Sequence, residues 1–179
     1  MKTQTNTKSA RRRHLPTLAL LLATVTLLAS APQPACAGPS YPFHARFITE
    51  FESIVEFPYL HLIVNGKGRS SAMGPTAAIT TDQMVSMIDG SATATYTLIA
   101  ATKQAGVIVG DTIILAMVFQ ATDVAGGVTF TGSYTVVGGT GRFAGAKGSG
   151  VVAGSAFLVG PSNGVGSFTL SGALSGPGE

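Results

Sequence analysis

From Phe47 to Phe57 the chain alternates. Phe47, Thr49, Phe51, Ser53, Val55 and Phe57 share one parity, while Glu50, Glu52 and Glu56 share the other. A two-residue period marks a strand with one face on a core and one in water, here aromatic inside and acidic outside. Pro58 has no N–H to donate and predicts a break or an edge. YLHLIV, from Tyr59 to Val64, resumes the strand, and Asn65-Gly66 is a favoured turn pair.

The same pattern recurs along the chain. Ala92, Ala94, Tyr96 and Leu98 oppose Thr93, Thr95 and Thr97, and threonine's branched β-carbon suits a pleated surface. Val107 to Phe119 is apolar almost throughout and broken at Gly110-Asp111. That fits two strands joined by a turn, or one long strand with a bulge. Val128, Phe130, Gly132, Tyr134 and Val136 oppose Thr129, Thr131, Ser133 and Thr135. Gly148–Val159 and Val165–Leu174 form the last two strands, joined by Gly160-Pro161-Ser162-Asn163-Gly164. Two segments read differently. Asp82 is placed to cap a short helical turn carrying Met84, Val85 and Ile88, and Lys103 to Gly106 is polar and loop-like. The spacing predicts roughly eight strands in a meander and no helix long enough for a parallel crossover.

The first 37 residues stand outside this pattern. Met1 to Pro16 carries Lys2, Lys8, Arg11, Arg12 and Arg13 and no acid, and an apolar run follows from Thr17 to Ala31. Ala35-Cys36-Ala37 then supplies small residues around a cleavage point. Together these predict a signal peptide over residues 1–37 and a single domain over 38–179, secreted or periplasmic. His14-Leu15-Pro16 is a poor continuation of a twin-arginine signal, and Gln33-Pro34-Ala35 is a poor lipobox before Cys36.

The leader changes the meaning of the charge. The whole chain has a formal charge of +3, but residues after 37 hold six Lys and Arg against eight Asp and Glu, a net of −2. The basic balance therefore belongs to the targeting segment and argues for neither nucleic acid nor a membrane as partner of the domain. Cys36 is the one cysteine, so the domain after residue 37 has no disulfide.

All 23 glycines lie after residue 37, and the densest run surrounds Arg142-Phe143. A phosphate loop needs Lys-Ser/Thr opening a helix, whereas Ala146-Lys147-Gly148-Ser149 runs on into a strand pattern. The run is better read as a connection between strands, with Phe143 plugging the end of the core and Arg142 reaching a carboxylate such as Asp111. The segment YTVVGGTGRFAGAKGSG, Tyr134 to Gly150, resembles the strand–turn–strand of the allene oxide cyclase and dirigent-type β-barrels, above all small secreted bacterial members. Gly66-Lys67-Gly68-Arg69-Ser70-Ser71-Ala72-Met73-Gly74 and the Gly110-Asp111 turn are similar to two further features of that family. The resemblance implies an all-β, eight-stranded antiparallel β-barrel with an apolar interior. Dirigent proteins bind phenoxy radicals and direct their coupling, and the cyclases steer the rearrangement of an epoxide. Of the polar interior groups those activities use, only Arg142 and the strand positions beside it have counterparts in this chain.

Other chemistry is sparse. His44 and His61 lie 17 residues apart with no HxH or HExxH spacing, so no metal site is expected. No G-x-S-x-G elbow accompanies the serines, and the glutamates of the first strand fit a solvated face. Tyr96 and Tyr134 fall on inward parity, either as core aromatics bonded locally or as hydroxyls aimed at a ligand. The expected function is an exported, non-catalytic barrel holding a small apolar ligand, with Tyr96, Asp111, Tyr134 and Arg142 as candidate ligand-binding residues and no cofactor. The alternatives are a dirigent- or cyclase-like catalyst around the same residues, and a self-associating surface protein.

Overall fold

The computed structural model describes residues 39–100, 102–104 and 107–176. The expected signal peptide over 1–37 lies outside the described residues. Eight long strands form the cylinder: β1 (Ser40–Glu56), β2 (Tyr59–Ser70), β3 (Gly74–Ser86), β4 (Ser91–Ala100), β7 (Thr112–Val124), β8 (Gly127–Gly139), β9 (Lys147–Leu158) and β10 (Asn163–Ser175). Two short strands, β5 (Thr102–Gln104) and β6 (Val107–Val109), pair as a separate hairpin between β4 and β7. The barrel order is β1-β10-β9-β8-β7-β4-β3-β2, closed and antiparallel throughout. Closure comes from the first and last strands, which pair from Ser40↔Ser175 to Glu52↔Asn163. Full closure leaves no unpaired edge.

Strand direction gives the cylinder two different ends. One end gathers the β2–β3 turn, the β5–β6 hairpin and the 3₁₀ turn Gly141–Phe143 between β8 and β9. This end is plugged: Phe143, Ala146, Met73 and Leu174 are buried there in the common core. The other end carries the β1–β2, β3–β4, β7–β8 and β9–β10 turns and is open.

The predicted parity holds in most strands, and its exceptions are instructive. Phe47, Thr49 and Phe51 are buried, but Val55 and Phe57 are exposed because β1 outruns the barrel at the open end. Asn65-Gly66 makes no turn; β2 runs through it, with Gly66 paired to both Thr49 and Ala78. Residues around Asp82 are strand, not helix. Of the loop expected from Lys103 to Gly106, Lys103 and Gln104 belong to β5 and the other two residues lie outside the described ones, while Gly110-Asp111 separates β6 from β7.

Small and large side chains alternate around the wall. Gly150 and Gly172 face inward on β9 and β10, and the Tyr134 ring lies across both. A β-carbon on Gly150 would come within 2.7 Å of Tyr134 Cε1, and one on Gly172 within 2.6 Å of its hydroxyl. An aromatic from one strand thus fills the space its glycine neighbours leave empty. Phe43 packs edge-on against the same tyrosine with ring centroids 6.2 Å apart.

Candidate functional site

The open end leads into a cavity of about 320 Å³, which narrows to a recess of about 40 Å³. Phe51, Leu62, Gln83, Phe119, Phe130 and Ala156 line both compartments, one from each of six strands. Phe119 and Phe130 stack at 5.2 Å near the mouth. Below them, Phe168 sits 5.4 Å from Tyr96 and 4.9 Å from Phe47, forming an aromatic floor. Among the described residues that line the cavity, only Asp123, at the rim, carries a charge.

One polar pair interrupts this apolar wall. The Tyr96 hydroxyl donates to Gln83 Oε1 at 2.8 Å, and both residues are more than nine-tenths buried. Burial raises the Tyr96 pKa well above its ordinary value of 10, so the phenol stays protonated and acts as the donor.

The backbone explains why Gln83 points inward. Leu62 pairs with Gln83 and Val64 with Thr80, so two steps on β2 face three on β3. The extra residue is a bulge at Thr81-Asp82, and a bulge flips the parity of everything after it. Before it Thr76, Ala78 and Thr80 face in; after it Gln83 does. Asp82 fills the gap in the ladder. Its carboxylate accepts the Thr80 hydroxyl at 3.0 Å and the Thr95 backbone N–H at 3.4 Å. A carboxylate taking a backbone N–H is also what a helix cap does, so the residue's chemistry was readable in the sequence although its setting was not.

The four sequence candidates fall in three places. Tyr96 lines the recess. Tyr134 is buried nearer the plugged end, 1 % exposed, with its hydroxyl bonded to nothing among the described residues. Arg142 and Asp111 sit together beyond the plug, with Arg142 Nε 3.2 Å from Asp111 Oδ2 and both half-exposed. The guanidinium also lies 5.0 Å from the centroid of the Phe143 ring. Gly141 makes this turn possible, with φ of +58°, and any β-carbon there would run into the Asp111 carboxylate. The pair therefore sits on the outside of the plug and does not share the cavity with Tyr96. Gln83 was missed because a helical turn was expected there, and only the bulge brings it inside.

The histidines stand apart from the cavity. His44 Nδ1 lies 3.2 Å from Ser171 Oγ in an exposed contact, and His61 Nε2 lies 3.7 Å from Glu56 near the β1–β2 turn. Among the described residues no three His, Cys, Asp or Glu side chains gather as a metal site would require.

No protein-family profile and no curated protein matches the chain. Among solved structures it is similar to the pterocarpan synthase dirigent protein GePTS1, at 13% identity over 77% of this chain and 93% of that one, with a TM-score of 0.44. At that level the likeness assigns no ligand, activity or residue role here.

Proposed function

We propose that this chain is an exported β-barrel protein that holds a small apolar ligand in the cavity at its open end without transforming it. The observation that carries the reading is the cavity: a closed barrel with one end plugged and an apolar space of about 320 Å³ at the other. Eight strands leave room for packed side chains or one small molecule, and apolar concavities with few polar groups are what small ligands fill. Export is supported by the basic leader, its short apolar run and the Ala35-Cys36-Ala37 site.

Native mass spectrometry of protein purified from its own host tests both halves. A retained small-molecule adduct and an N-terminus at Gly38 are expected. Ala156→Phe, which fills the cavity from β9, should abolish the adduct while leaving the melting temperature nearly unchanged. An intact leader on the extracellular protein, or an adduct indifferent to that substitution, would overturn the corresponding half.

A second reading, steering of a reactive apolar intermediate, draws its support from the Tyr96–Gln83 pair inside the wall. It requires a change in product distribution when the barrel is added to the reaction, and loss of that change in Gln83→Leu.

A further inference from the structure

The state of the Gln83 amide narrows the ligand's chemistry. A primary amide has an acceptor end and a donor end. The Tyr96 hydroxyl occupies the acceptor, which fixes the rotamer and leaves Nε2 as the free end. No hydrogen bond from Nε2 to protein is found among the described residues, and Gln83 lines both the mouth and the recess. Gln83 Nε2 is not a sealed orphan, since Tyr134 Oη is the one fully buried side-chain polar atom without a partner among the described residues; it opens on the cavity, and a ligand that displaces solvent there must offer an acceptor or leave the donor unpaired. A leucine would leave the buried Tyr96 hydroxyl without its acceptor, so the glutamine pairs the tyrosine and presents its amide N–H at the same time, and the Asp82 bulge that turns it inward is part of the construction.

The surroundings restrict the acceptor further. Among the described residues neither compartment has a lysine, arginine or histidine in its lining, and the one charge, Asp123 at the rim, is negative. A carboxylate or phosphate would enter a low-dielectric space with no counter-charge, past a like charge. An oxygen that is polar but uncharged meets neither obstacle.

Resting on the ligand-binding reading above, we infer that the cavity selects electrically neutral apolar molecules carrying an acceptor oxygen, of the ketone, ester or ether class, and that Gln83 Nε2–H is the group that reads this oxygen. Tyr96 is a positioning residue, since it acts through the amide it orients. A hydrogen bond from a site group to a ligand oxygen gives selectivity because the analogue lacking that oxygen leaves the donor unpaired.

The test uses the full barrel and three probes of equal length: a medium-chain methyl ketone, the alkane and the carboxylate. Binding is measured by displacement of an apolar fluorophore. Gln83→Leu is expected to weaken the ketone roughly tenfold, the worth of one hydrogen bond, and to leave the alkane unchanged or tighter. The carboxylate should bind more weakly than the ketone at neutral pH. Infrared spectra supply a readout independent of whether the variant folds well: the carbonyl stretch of the ketone bound to the unsubstituted barrel should fall below its value in alkane solvent. If neither ketone nor alkane binds, the ligand-binding reading fails and this inference fails with it. If the alkane binds but the ketone stretch is unshifted, or if Gln83→Leu weakens both probes alike, the inference alone is overturned.

Discussion

The carboxylate of Asp82 accepts the backbone N–H of Thr95, across the one place where β3 and β4 fall out of register. The contact repairs a ladder that the extra residue interrupts, and it holds the parity change that sends Gln83 inward. Asp82→Ala is expected to destabilise the fold by about 1–2 kcal/mol, the range for losing a side chain that caps orphan backbone donors. Apolar-probe affinity should fall as well, because the bulge can then slip. Chemical denaturation and probe titration check this; a stability loss with unchanged probe binding would show that the bulge holds without its carboxylate.

Tyr134 gives a prediction of opposite sign. Its hydroxyl is buried and bonded to nothing among the described residues. Leaving such a group unpaired costs about 1–3 kcal/mol. Tyr134→Phe keeps the ring over Gly150 and Gly172 and should therefore be neutral or raise the melting temperature. Gly150→Ala, by contrast, forces a β-carbon into that ring and into the β10 backbone, and overpacking of this kind costs about 1–3 kcal/mol.

At the plug, two neighbouring residues should behave very differently. Arg142→Ala removes a half-exposed ion pair and should cost less than about 1 kcal/mol, diminishing further with salt. Gly141→Ala places a side chain at positive φ and against Asp111, and should be the more damaging change. Equal effects of the two in thermal melts would sink the view that the turn's geometry, and not its charge pair, holds Phe143 in place.

The tyrosines set the alkaline limit. Burial pushes the Tyr134 phenol up to about 12 and raises that of Tyr96 too. In the unfolded chain both ionise near pH 10, so above that pH the unfolded state binds fewer protons than the folded one. Their contribution is therefore constant below about pH 10 and declines as pH rises towards the folded values, by about 1.4 kcal/mol per pH unit per tyrosine. Denaturation midpoints measured from about pH 9 to pH 12 should show this slope halved in Tyr134→Phe. Asp89 works at the acid end. The Ser86 hydroxyl, then the Ser91 N–H and hydroxyl, hold its carboxyl down to about 2. Its contribution is present above about pH 4 and is lost as pH falls towards 2, a loss absent from Asp89→Asn.

Period-two alternation was enough to place most of the barrel, because a closed antiparallel sheet imposes that period on nearly every residue. β4 and β8 show this best: Ala92 to Leu98 and Tyr134 to Val136 face in as their parity requires. The plug was legible too, since Phe143 among glycines has few other uses, and Asp111 was within reach of Arg142. The cavity was not legible. Its polar group depends on a one-residue bulge, which leaves no trace in hydropathy and makes Met84, Val85 and Ile88 mimic a helical spacing. The ends of strands were also hidden. Asn65-Gly66 has ideal turn chemistry, but β1 and β3 flank it on both sides and their ladders carry β2 straight through.

The β1–β10 seam gives the fold a timetable. Ser40 is paired opposite Ser175, so the cylinder can close only once β10 has been made. Until then one side of β1 is a bare edge, the state in which a sheet is most prone to recruit a stranger, and contacts so distant in sequence make for slow folding.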